Sequence, residues 1–506
     1  MNITVQQGEI QKRADAAVVV NLFEGAKPAG ATAAMDTALG GLISTVLKSG
    51  DFSGKKNEII VLYTQTRGLP SRVMLVGLGK RKALTLEGVR QAAGTAARKL
   101  QSLGVERAST ILHGAGAGGL EIDDAAQALA EGTVLACYRF DEYSTADDKR
   151  PRKLLKALTV VEFDATRLTA LRRGVKAGRS IAEATCLARD LANQPGNTAT
   201  PTYLASRARQ LARRHGLRCR ILDENAMKKL GMGALLGVSR GSQQPARFII
   251  LEHGAGVKAA GAAGPLVFVG KGVTFDSGGI SLKPGSGMED MKFDMCGAAA
   301  VFGAMQAVAA LKVPQHIVGL IAATENLPSA SALKPGDVLK TLTGQTIEII
   351  NTDAEGRLIL ADALGYAARY NPAGVIDLAT LTGACVVALG HHASGLMSNN
   401  QKLADRVLKA GEETGERAWQ LPLWDDYRSG IRSTIADMKN AGDRAGGAIT
   451  GAMLLAEFTK SYPWVHLDIA GTAWAAKTGP YTPKGGAGVG VRLLTQLART
   501  WGTRRK

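Results

Sequence analysis

The sequence has few of the side chains that form thiolate or imidazole metal sites. It contains five cysteines and seven histidines in 506 residues. No C-x-x-C, H-E-x-x-H or H-x-H pattern occurs among them. This scarcity argues against a disulfide framework and against a zinc site made of cysteine or histidine, so most cysteines are expected to be reduced and buried. Any bound metal would take mainly oxygen ligands.

Long apolar runs and a targeting segment are also missing. No apolar run approaches the roughly 18 residues of a membrane-spanning helix. Met1 to Val20 lack the charged-then-apolar layout of a signal peptide. We therefore expect a soluble, cytoplasmic protein that has no membrane partner.

The net charge is strongly positive, at +18, while the apolar and charged fractions of 45% and 21% are ordinary for a globular protein. A basic excess attracts polyanions such as nucleic acid. The lysines and arginines are nevertheless spread along the chain, with local clusters at 149–156, 167–179, 207–220 and 504–506. A solvated basic surface is the simpler interpretation, and DNA binding stays open as the alternative.

The length predicts two domains, because a chain of this size is too long for one ordinary core. Short apolar strands alternate with helical patterns, which indicates an α/β fold with a mainly parallel central sheet flanked by helices. We expect a smaller N-terminal α/β domain over residues 1–165, a connecting helix over 166–192 and a larger C-terminal domain over 193–506. A charged run broken by proline, at 147–153, predicts an exposed loop.

A glycine-rich segment at 114–119 matches the pattern G-x-G-x-x-G and follows a short predicted strand over 109–113. Dinucleotide-binding domains also need an acidic residue that closes a second strand, and none stands at the required distance. A turn-forming role is therefore favoured over dinucleotide binding.

The C-terminal domain has polar segments at or near the ends of its predicted strands. Strands are predicted over 266–269, 317–323, 347–350 and 375–379, and helices over 298–311 and 358–370. The polar segments are 270–284, 291–295 and 351–358. Because ligands of parallel sheets gather beyond the carboxyl ends of the strands, these segments form the candidate site.

The third segment, with the sequence NTDAEGRL, carries Asp353 and Glu355 two residues apart. In an extended backbone, residues i and i+2 point to the same side, so the two carboxylates would converge on one point. Convergent carboxylates at a strand end predict a cation site.

Single residues of these segments have simpler explanations. Asp294, just before a predicted alanine-rich helix, suits a helix cap as well as a ligand. The pair Gly270 and Lys271 lacks the glycine spacing and the following Ser or Thr of a phosphate-binding loop. Cys296 and Cys385 have no histidine base in these segments, which disfavours a thiol nucleophile.

Charge balance favours a metal centre over a network of salt bridges. The candidate carboxylates are Asp276, Asp294, Asp353 and Glu355, and the cations in the same segments are Lys271, Lys283 and Arg357. About four negative charges in a low-dielectric cleft exceed what three cations offset, whereas two divalent ions would offset all of them. The spacing of these residues does not establish that the side chains meet.

Together the three segments resemble the metal-site blocks of the leucyl aminopeptidases, which form the cytosol aminopeptidase or M17 peptidase family. NTDAEGRL looks like the family signature, and 270–284 and 291–300 match the two other blocks in order and spacing. The resemblance covers the whole chain in layout. It implies the family's fold, with a variable N-terminal α/β domain, a connecting helix and a catalytic domain.

The resemblance also implies a site for two divalent ions, Mn²⁺ or Zn²⁺. One ion would be held by Asp276, Asp353 and Glu355. The other would be held by Lys271, Asp276, Asp294 and Glu355, so that Asp276 and Glu355 bridge. A lysine ligates only as the neutral amine, and the cations would therefore have to depress the pKa of Lys271.

The activity that the resemblance implies is removal of the N-terminal residue, leucine or another mainly apolar residue, from peptides. A metal-bridging hydroxide would attack the peptide carbonyl. Lys283 would stabilise the charge that develops on the tetrahedral oxygen, and Arg357 would hold a bicarbonate that acts as general base. A structural counter-charge is the alternative role for both basic residues.

The family further implies substrate contacts and partners. The contacts would be Met291, Thr380, Leu381 and Gly383, with residues 470–474 nearby. Peptides with a free N-terminus would be the substrates, and the chain would assemble into a homohexamer. Some bacterial relatives also serve as DNA-binding accessory proteins, so an additional DNA-binding accessory or regulatory role is the alternative function.

Overall fold

The computed structural model describes residues 1–145, 154–256 and 264–502. Contacts divide the chain into two units, and the first consists of Met1–Glu183 together with Lys477–Pro483. The division falls inside a long helix, which was expected as the connector between domains. The predicted loop at 147–153 and the basic tail at 504–506 lie outside the described residues. The domain boundaries drawn from the sequence stay a prediction.

The first unit contains a six-stranded sheet with helices. Its strands are β1 Asn2–Gln7, β2 Val18–Leu22, β3 Ile59–Tyr63, β4 Arg72–Gly77, β5 Arg107–Ile111 and β6 Ala157–Glu162. Its helices are α1 Gly30–Ala38, α2 Leu42–Ser49, α3 Leu86–Ser102 and α4 Ile122–Ala136, followed by α5 Leu168–Asn193, which continues into the second unit. The strand order is β1-β6-β5-β2-β4-β3, and every neighbouring pair except β3 and β4 is parallel.

The second unit is built on an eight-stranded sheet. The strands of this unit are β7 Arg218–Leu222, β8 Arg247–His253, β9 Leu266–Asp276, β10 Ile317–Asn326, β11 Val338–Lys340, β12 Thr346–Glu348, β13 Gly374–Ala379, β14 Ser394–Ser398, β15 Ala418–Gln420, β16 Met438–Lys439, β17 Trp464–Asp468, β18 Trp474–Ala475 and β19 Gly485–Gly486. The helices are α6 Pro201–His215, α7 Glu224–Leu230, α8 Gly233–Ser239, α9 Cys296–Ala310, α10 Gly356–Ala367, α11 Gly383–Leu389, α12 Gln401–Thr414, α13 Gly447–Ala456 and α14 Val491–Thr500.

The middle of this sheet is parallel and covered on both faces. The order is β15-β14-β17-β13-β9-β10-β8-β7, in which β17, β13, β9 and β10 are mutually parallel. Successive residues of β9 alternate between two apolar cores: Leu266 and Phe268 enter one, Val267 and Val269 the other. Burial on both faces explains why this strand is continuously apolar. The predicted fold class, α/β with a mainly parallel sheet flanked by helices, is confirmed.

One strand prediction is wrong. The segment predicted as a strand over 347–350 contributes only β12, which ends at Glu348 and pairs with β11 and β16 in a separate three-stranded sheet. Ile347 and Ile349 are buried in the same apolar core as α10, whereas Ile350 is 45% exposed. An apolar run indicates that its side chains are buried, but it does not indicate which element buries them. Here the run is buried by packing outside the eight-stranded sheet.

The strand that leads into the site is longer than predicted. β9 continues to Asp276, so Gly270 is a strand residue and not part of a loop. A Cβ atom on Gly270 would lie 2.6 Å from the carbonyl oxygen of Gly297, the second residue of α9. A Cβ on Gly297 would in turn lie 2.0 Å from the carbonyl oxygen of Leu378 in β13. These glycines let α9 pack directly on the backbone of two strands.

The stretch Met288–Ala310, which includes α9, is long and apolar enough to cross a membrane, and α1 with α2 would be a second candidate despite a 103° bend. This differs from the expectation that no run of that length occurs. In Met288–Ala310, 83% of the most apolar 18-residue segment is buried inside the protein. Core helices of soluble proteins pass the same test of length and composition, because packing against a sheet requires a similar apolar surface.

Replacement of Gly297 by alanine tests the contact between helix and strands. Alanine normally stabilises a helix interior, but here the clash with the Leu378 carbonyl should dominate and lower the free energy of unfolding by about 2–4 kcal/mol. The matched control is Gly285→Ala, where a Cβ would meet no atom within 4 Å. Denaturant titration measures the free energy of unfolding of both variants. Equal unfolding midpoints for the two would contradict the packing described.

A buried carboxylate makes stability depend on pH. Asp362 in α10 is fully buried and accepts hydrogen bonds from the backbone N–H groups of Leu235, at 2.8 Å, and Leu342, at 2.7 Å. Burial raises the pKa of Asp362 to about 7, although these hydrogen bonds act in the opposite direction. The folded state therefore binds this proton more tightly than the unfolded state, whose aspartate pKa is about 3.9.

The stabilising contribution of protonated Asp362 should be complete below about pH 4 and be lost as the pH rises through about 7. Asp362→Asn removes this titration. The free energy of unfolding of the native chain relative to Asp362→Asn should therefore fall between pH 5 and pH 8, by roughly 2–3 kcal/mol. Denaturant titrations at both pH values measure it, with the exposed Asp426→Asn as control. A difference that is independent of pH would contradict the assignment.

Candidate metal centre

The carboxyl ends of the parallel central strands bring polar residues together. β9 ends at Asp276, β10 ends at Asn326 and β17 ends at Asp468, while Thr380 directly follows β13. This is the edge at which the ligands of parallel sheets bind. The sheet thus provides a rigid frame for the site.

Three carboxylates converge at this edge. Single oxygens of Asp276, Asp353 and Glu355 all lie within 4.8 Å of one another. Asp276 and Glu355 are buried, and Asp353 is half-buried. Like charges this close repel strongly out of water, so the group requires a cation.

The convergence of Asp353 and Glu355 has a different cause from the one inferred from spacing. Residues 351–355 form a turn, and Glu355 already has the helical angles φ −78° and ψ −33° because α10 begins at the next residue. The extended backbone expected for this segment is therefore wrong. The turn and the first helical residue, and not strand alternation, aim the two carboxylates at one point.

Hydrogen bonds from distant segments hold this turn. The Thr352 hydroxyl donates to the carbonyl oxygen of Gly278 at 2.6 Å and accepts from the backbone N–H of Ser281 at 2.8 Å. The Asn440 amide donates to the carbonyl oxygen of Asn351 at 2.6 Å. Gly278 has φ +87°, and a Cβ there would lie 2.5 Å from the Ser281 carbonyl oxygen. The glycine-rich segment is thus needed for close backbone packing beside the carboxylates.

Lys271 and Asp294 complete one side of the cluster. The Lys271 ammonium lies 2.8 Å from Asp294 Oδ1, 2.8 Å from Glu355 Oε1 and 2.8 Å from the carbonyl oxygen of Thr380. The Thr380 hydroxyl also donates to Asp294 Oδ1 at 2.6 Å. The cap position of α9 is Met295, and no side chain accepts a capping hydrogen bond there. The helix-cap alternative for Asp294 is therefore wrong.

Lys283 and Arg357 are the two other basic residues of the cluster. The Lys283 ammonium is 2.9 Å from Asp276 Oδ2 and also forms an ion pair with Asp353. The Arg357 guanidinium is buried and donates through Nη1 to the carbonyl oxygen of Asn440 at 2.8 Å. Its Nε has no hydrogen-bond partner among the described residues.

The pKa directions follow from burial and crowding. Burial raises the pKa of Asp294 and of Glu355, and in both cases the charge of Asp276 raises it further, while Lys271 acts in the opposite direction. Burial alone would lower the pKa of Lys271, but Asp294, Glu355 and Asp276 together raise it above its usual range. The ammonium groups therefore supply the positive charge in this structure.

The donor set fits a divalent cation. Asp294 Oδ2 is buried and has no hydrogen-bond partner in the described ranges. Glu355 Oε1 and Asp353 Oδ1 meet lysine ammonium groups at ion-pair distance but without hydrogen-bond geometry. Buried oxygens that lack full partners are the ligands that hard divalent cations take.

A cavity of about 390 Å³ opens beside the cluster. All four residues predicted to contact substrate line it, and they are Met291, Thr380, Leu381 and Gly383. Ala470 lines it too, whereas Trp474 stacks on Phe293 with ring centres 5.5 Å apart. The cavity lining therefore includes apolar side chains as well as residues of the charged cluster.

Several residues that shape the site were not predicted. Asn326 donates to Asp276 Oδ1 at 2.8 Å and to the carbonyl oxygen of Thr352 at 3.0 Å. Asp468 accepts from the backbone N–H of Leu381 at 3.2 Å. Residues 441–444 add a further wall to the cavity. Among these residues, only Asn326 could have been found from the sequence, because it ends a run of polar residues that closes an apolar strand.

Thiol chemistry does not suit this site. Cys296 and Cys385 are buried, and burial raises the pKa of both thiols, to about 12 for Cys385. Both are therefore protonated at neutral pH and poorly nucleophilic.

An α/β fold with a mainly parallel sheet, and a carboxylate cluster at the edge of that sheet that fits a divalent ion, are together features of a metal-dependent enzyme. Residues 186–495 match the cytosol aminopeptidase family, catalytic domain, and residues 19–147 match the N-terminal domain of the same family. The chain belongs to the cytosol aminopeptidase family, and it is a metal-dependent aminopeptidase.

Relatives are similar over nearly the whole chain. A probable cytosol aminopeptidase of Syntrophotalea carbinolica is 51% identical over 464 residues, covering 92% of each chain. One from a Geobacter species is 48% identical over 501 residues, covering 99% of this chain and 100% of the relative. The family predicted from the sequence is thereby confirmed.

Solved structures agree with the fold. A mutant of tomato leucine aminopeptidase has a TM-score of 0.87 at 32% identity and covers 99% of this chain and 96% of its own. The bottromycin maturation enzyme BotP in complex with Mn has a TM-score of 0.85 at 36% identity and covers 97% of this chain and 100% of its own.

Asn326 should control metal affinity although it is not a predicted ligand. In Asn326→Ala, Asp276 loses the donor that orients it and the turn at Thr352 loses a support, so the affinity for Mn²⁺ should fall about 10- to 100-fold. Calorimetric titration of Mn²⁺ into metal-free protein measures this. The exposed Asn2→Ala should bind as the native chain does, and an unchanged affinity of Asn326→Ala would contradict the orienting role.

Proposed function

We propose that the chain removes N-terminal leucine and other mainly apolar residues from peptides at a centre for two divalent ions, Mn²⁺ or Zn²⁺. The observation that carries this proposal is the convergence of Asp276, Asp353 and Glu355 next to the pair of Lys271 and Asp294. Membership of the cytosol aminopeptidase family supports it.

Two sets of residues would hold the ions. Asp276, Asp353 and Glu355 form the first set, and Lys271 and Asp294 join Asp276 and Glu355 in the second. Glu355 would belong to both sets, which its place in the three-carboxylate group and its 2.8 Å distance from Lys271 support. Lys271 would take part only as the neutral amine. When bound, the ions would lower the pKa of a water molecule so that it serves as the nucleophile at neutral pH.

Lys283 would stabilise the transition state. Its ammonium lines the cavity and is fixed between Asp276 and Asp353. Burial alone would lower its pKa, but these two carboxylates raise it, so the side chain keeps its charge at neutral pH. A fixed ammonium at the cavity wall would stabilise negative charge that develops on the peptide oxygen.

Arg357 would hold the general base. Nη1 is anchored on Asn440, which leaves the buried Nε as a donor without an acceptor of its own among the described residues. A buried donor without an acceptor destabilises the folded state, and an anion that accepts this hydrogen bond would remove the penalty. Bicarbonate suits this position, where it would accept a proton from the attacking water.

The cavity would accept a leucine-like side chain between Met291 and Leu381, with Thr380 and Gly383 at its border. One methylene in such a pocket is worth about 1–3 kcal/mol, so the preference among apolar residues should be broad.

Assembly and location complete the proposal. We expect a cytoplasmic homohexamer, with the N-terminal domain over 1–165, the connecting helix over 166–192 and the catalytic domain over 193–506. An additional DNA-binding role stays a prediction from the net charge.

Metal content and turnover test the mechanism together. The purified chain should contain two ions by elemental analysis and should release an L-leucyl anilide in a chelator-sensitive reaction. Asp353→Ala and Glu355→Ala should lower turnover by more than about 100-fold, because metal-assisted charge stabilisation is worth several kcal/mol. The exposed Glu289→Ala is the matched control and should keep both ions and activity. Activity that survives complete metal removal would overturn the proposal.

A further inference from the structure

The first unit contains a cavity that is larger than the one at the metal centre. Its volume is about 1030 Å³, compared with about 390 Å³ at the metal centre. All of its lining residues belong to the first unit, and none of them is a residue assigned to the aminopeptidase reaction. Its position and lining therefore need their own explanation.

The cavity lies where the connections of the six-stranded sheet diverge. After β2 the chain forms β3 and β4 on one side of that strand, whereas after β5 it forms β6 on the opposite side. The segments that leave the carboxyl ends of β2 and β5 therefore part and open a crevice, which is the usual ligand position in such sheets. Phe23, directly after β2, and residues 114–117, after β5, both line the cavity.

Backbone groups form much of one wall. Residues 29–31, at the start of α1, line the cavity, and no side chain caps this helix. The N–H groups of a first helical turn have no partner within the helix and attract anions. A Cβ atom built on Gly30 or on Gly116 would meet no atom within 4 Å, so both glycines border open space. A ligand could therefore approach the backbone at both places.

Aromatic rings form another part of the wall. Phe163 directly follows β6, lines the cavity and is 70% exposed, which is unusual for a phenylalanine that serves only packing. Phe23 also lines the cavity, and the Arg81 guanidinium lies 5.6 Å from its ring centre. Phe23 is buried, so the exposed ring of Phe163 is the surface on which a planar base could stack.

The two carboxylates on the wall each lie near a cation. Glu9 forms a 2.8 Å ion pair with Lys12. Glu162 lies 3.9 Å from Arg167, which lines the cavity itself. These cations reduce the repulsion that an anionic ligand would otherwise meet.

From this lining we propose that the cavity binds a mononucleotide, with its phosphate at the first turn of α1 and the segment 114–117 and its base against Phe163. The glycine-rich segment thus forms a turn, as expected, and also a ligand wall. The site is separate in its residues from the proposed aminopeptidase centre.

Calorimetric titration of AMP into the full-length, metal-loaded chain tests the proposal, with adenosine and inorganic phosphate as separate probes. AMP should bind, and each fragment should bind at least about tenfold more weakly, because each keeps only one of the two contacts. The heat of AMP binding should persist after chelation of the metals, since no metal ligand lines the cavity. Loss of peptidase activity in that sample would not affect the result.

Two variants with matched controls locate the site. Phe163→Ala should weaken AMP binding by about fivefold or more through lost stacking, whereas Tyr63→Ala, 64% exposed on β3, should not. Ala117→Asp places a carboxylate on the wall and should weaken binding by about tenfold, whereas Ala83→Asp, at an exposed residue outside the lining, should not. All four variants should keep the native rate of L-leucyl anilide hydrolysis.

Three results would overturn the proposal. The first is the absence of AMP binding at millimolar concentration. The second is binding that disappears with the chelator, which would place AMP at the metal centre. The third is binding that Phe163→Ala and Ala117→Asp leave unchanged.

Discussion

The desolvated carboxylates at the sheet edge are the constraint on which the catalytic unit depends. Asp276, Asp294 and Glu355 are each at most 5% exposed, so water cannot screen their repulsion. At an effective dielectric constant of about 20, two such charges 4 Å apart repel by about 4 kcal/mol. Positive charge must therefore be present at all times. The buried ammonium of Lys271 provides it in this structure, and divalent ions would provide more.

A cluster of this kind persists only if its frame prevents the carboxylates from moving apart into water. The frame here is backbone on backbone: Gly270 and Gly297 let α9 contact β9 and β13 without intervening side chains. Asn326 then ties the end of β10 to Asp276 and to the turn at Thr352. Glycine packing and amide hydrogen bonds thus hold together charges that would separate in a softer structure.

The sequence was informative where local forces dominate. The helix predicted over 298–311 and the strand predicted over 375–379 are found as α9 and β13, and the ligand candidates follow from a motif. The turn at 351–355 could not be inferred in this way, because its shape depends on hydrogen bonds to Gly278 and Asn440, which are distant in the chain. Asn440 was missed for the same reason, since a single asparagine in an unremarkable segment carries no signal before the chain folds.

The same geometric rule produces two cavities with different linings. Both lie at the carboxyl ends of parallel strands, but one presents carboxylates such as Asp276 and the other presents a free helix start and glycine backbone. The glycines distinguish the two roles. A Cβ on Gly297 would collide with backbone, so that residue serves packing, whereas a Cβ on Gly30 or Gly116 would point into open space. Glycine beside open space leaves peptide N–H groups accessible, which is why the cavity of the first unit suits an anion while the cluster of the second unit requires a cation.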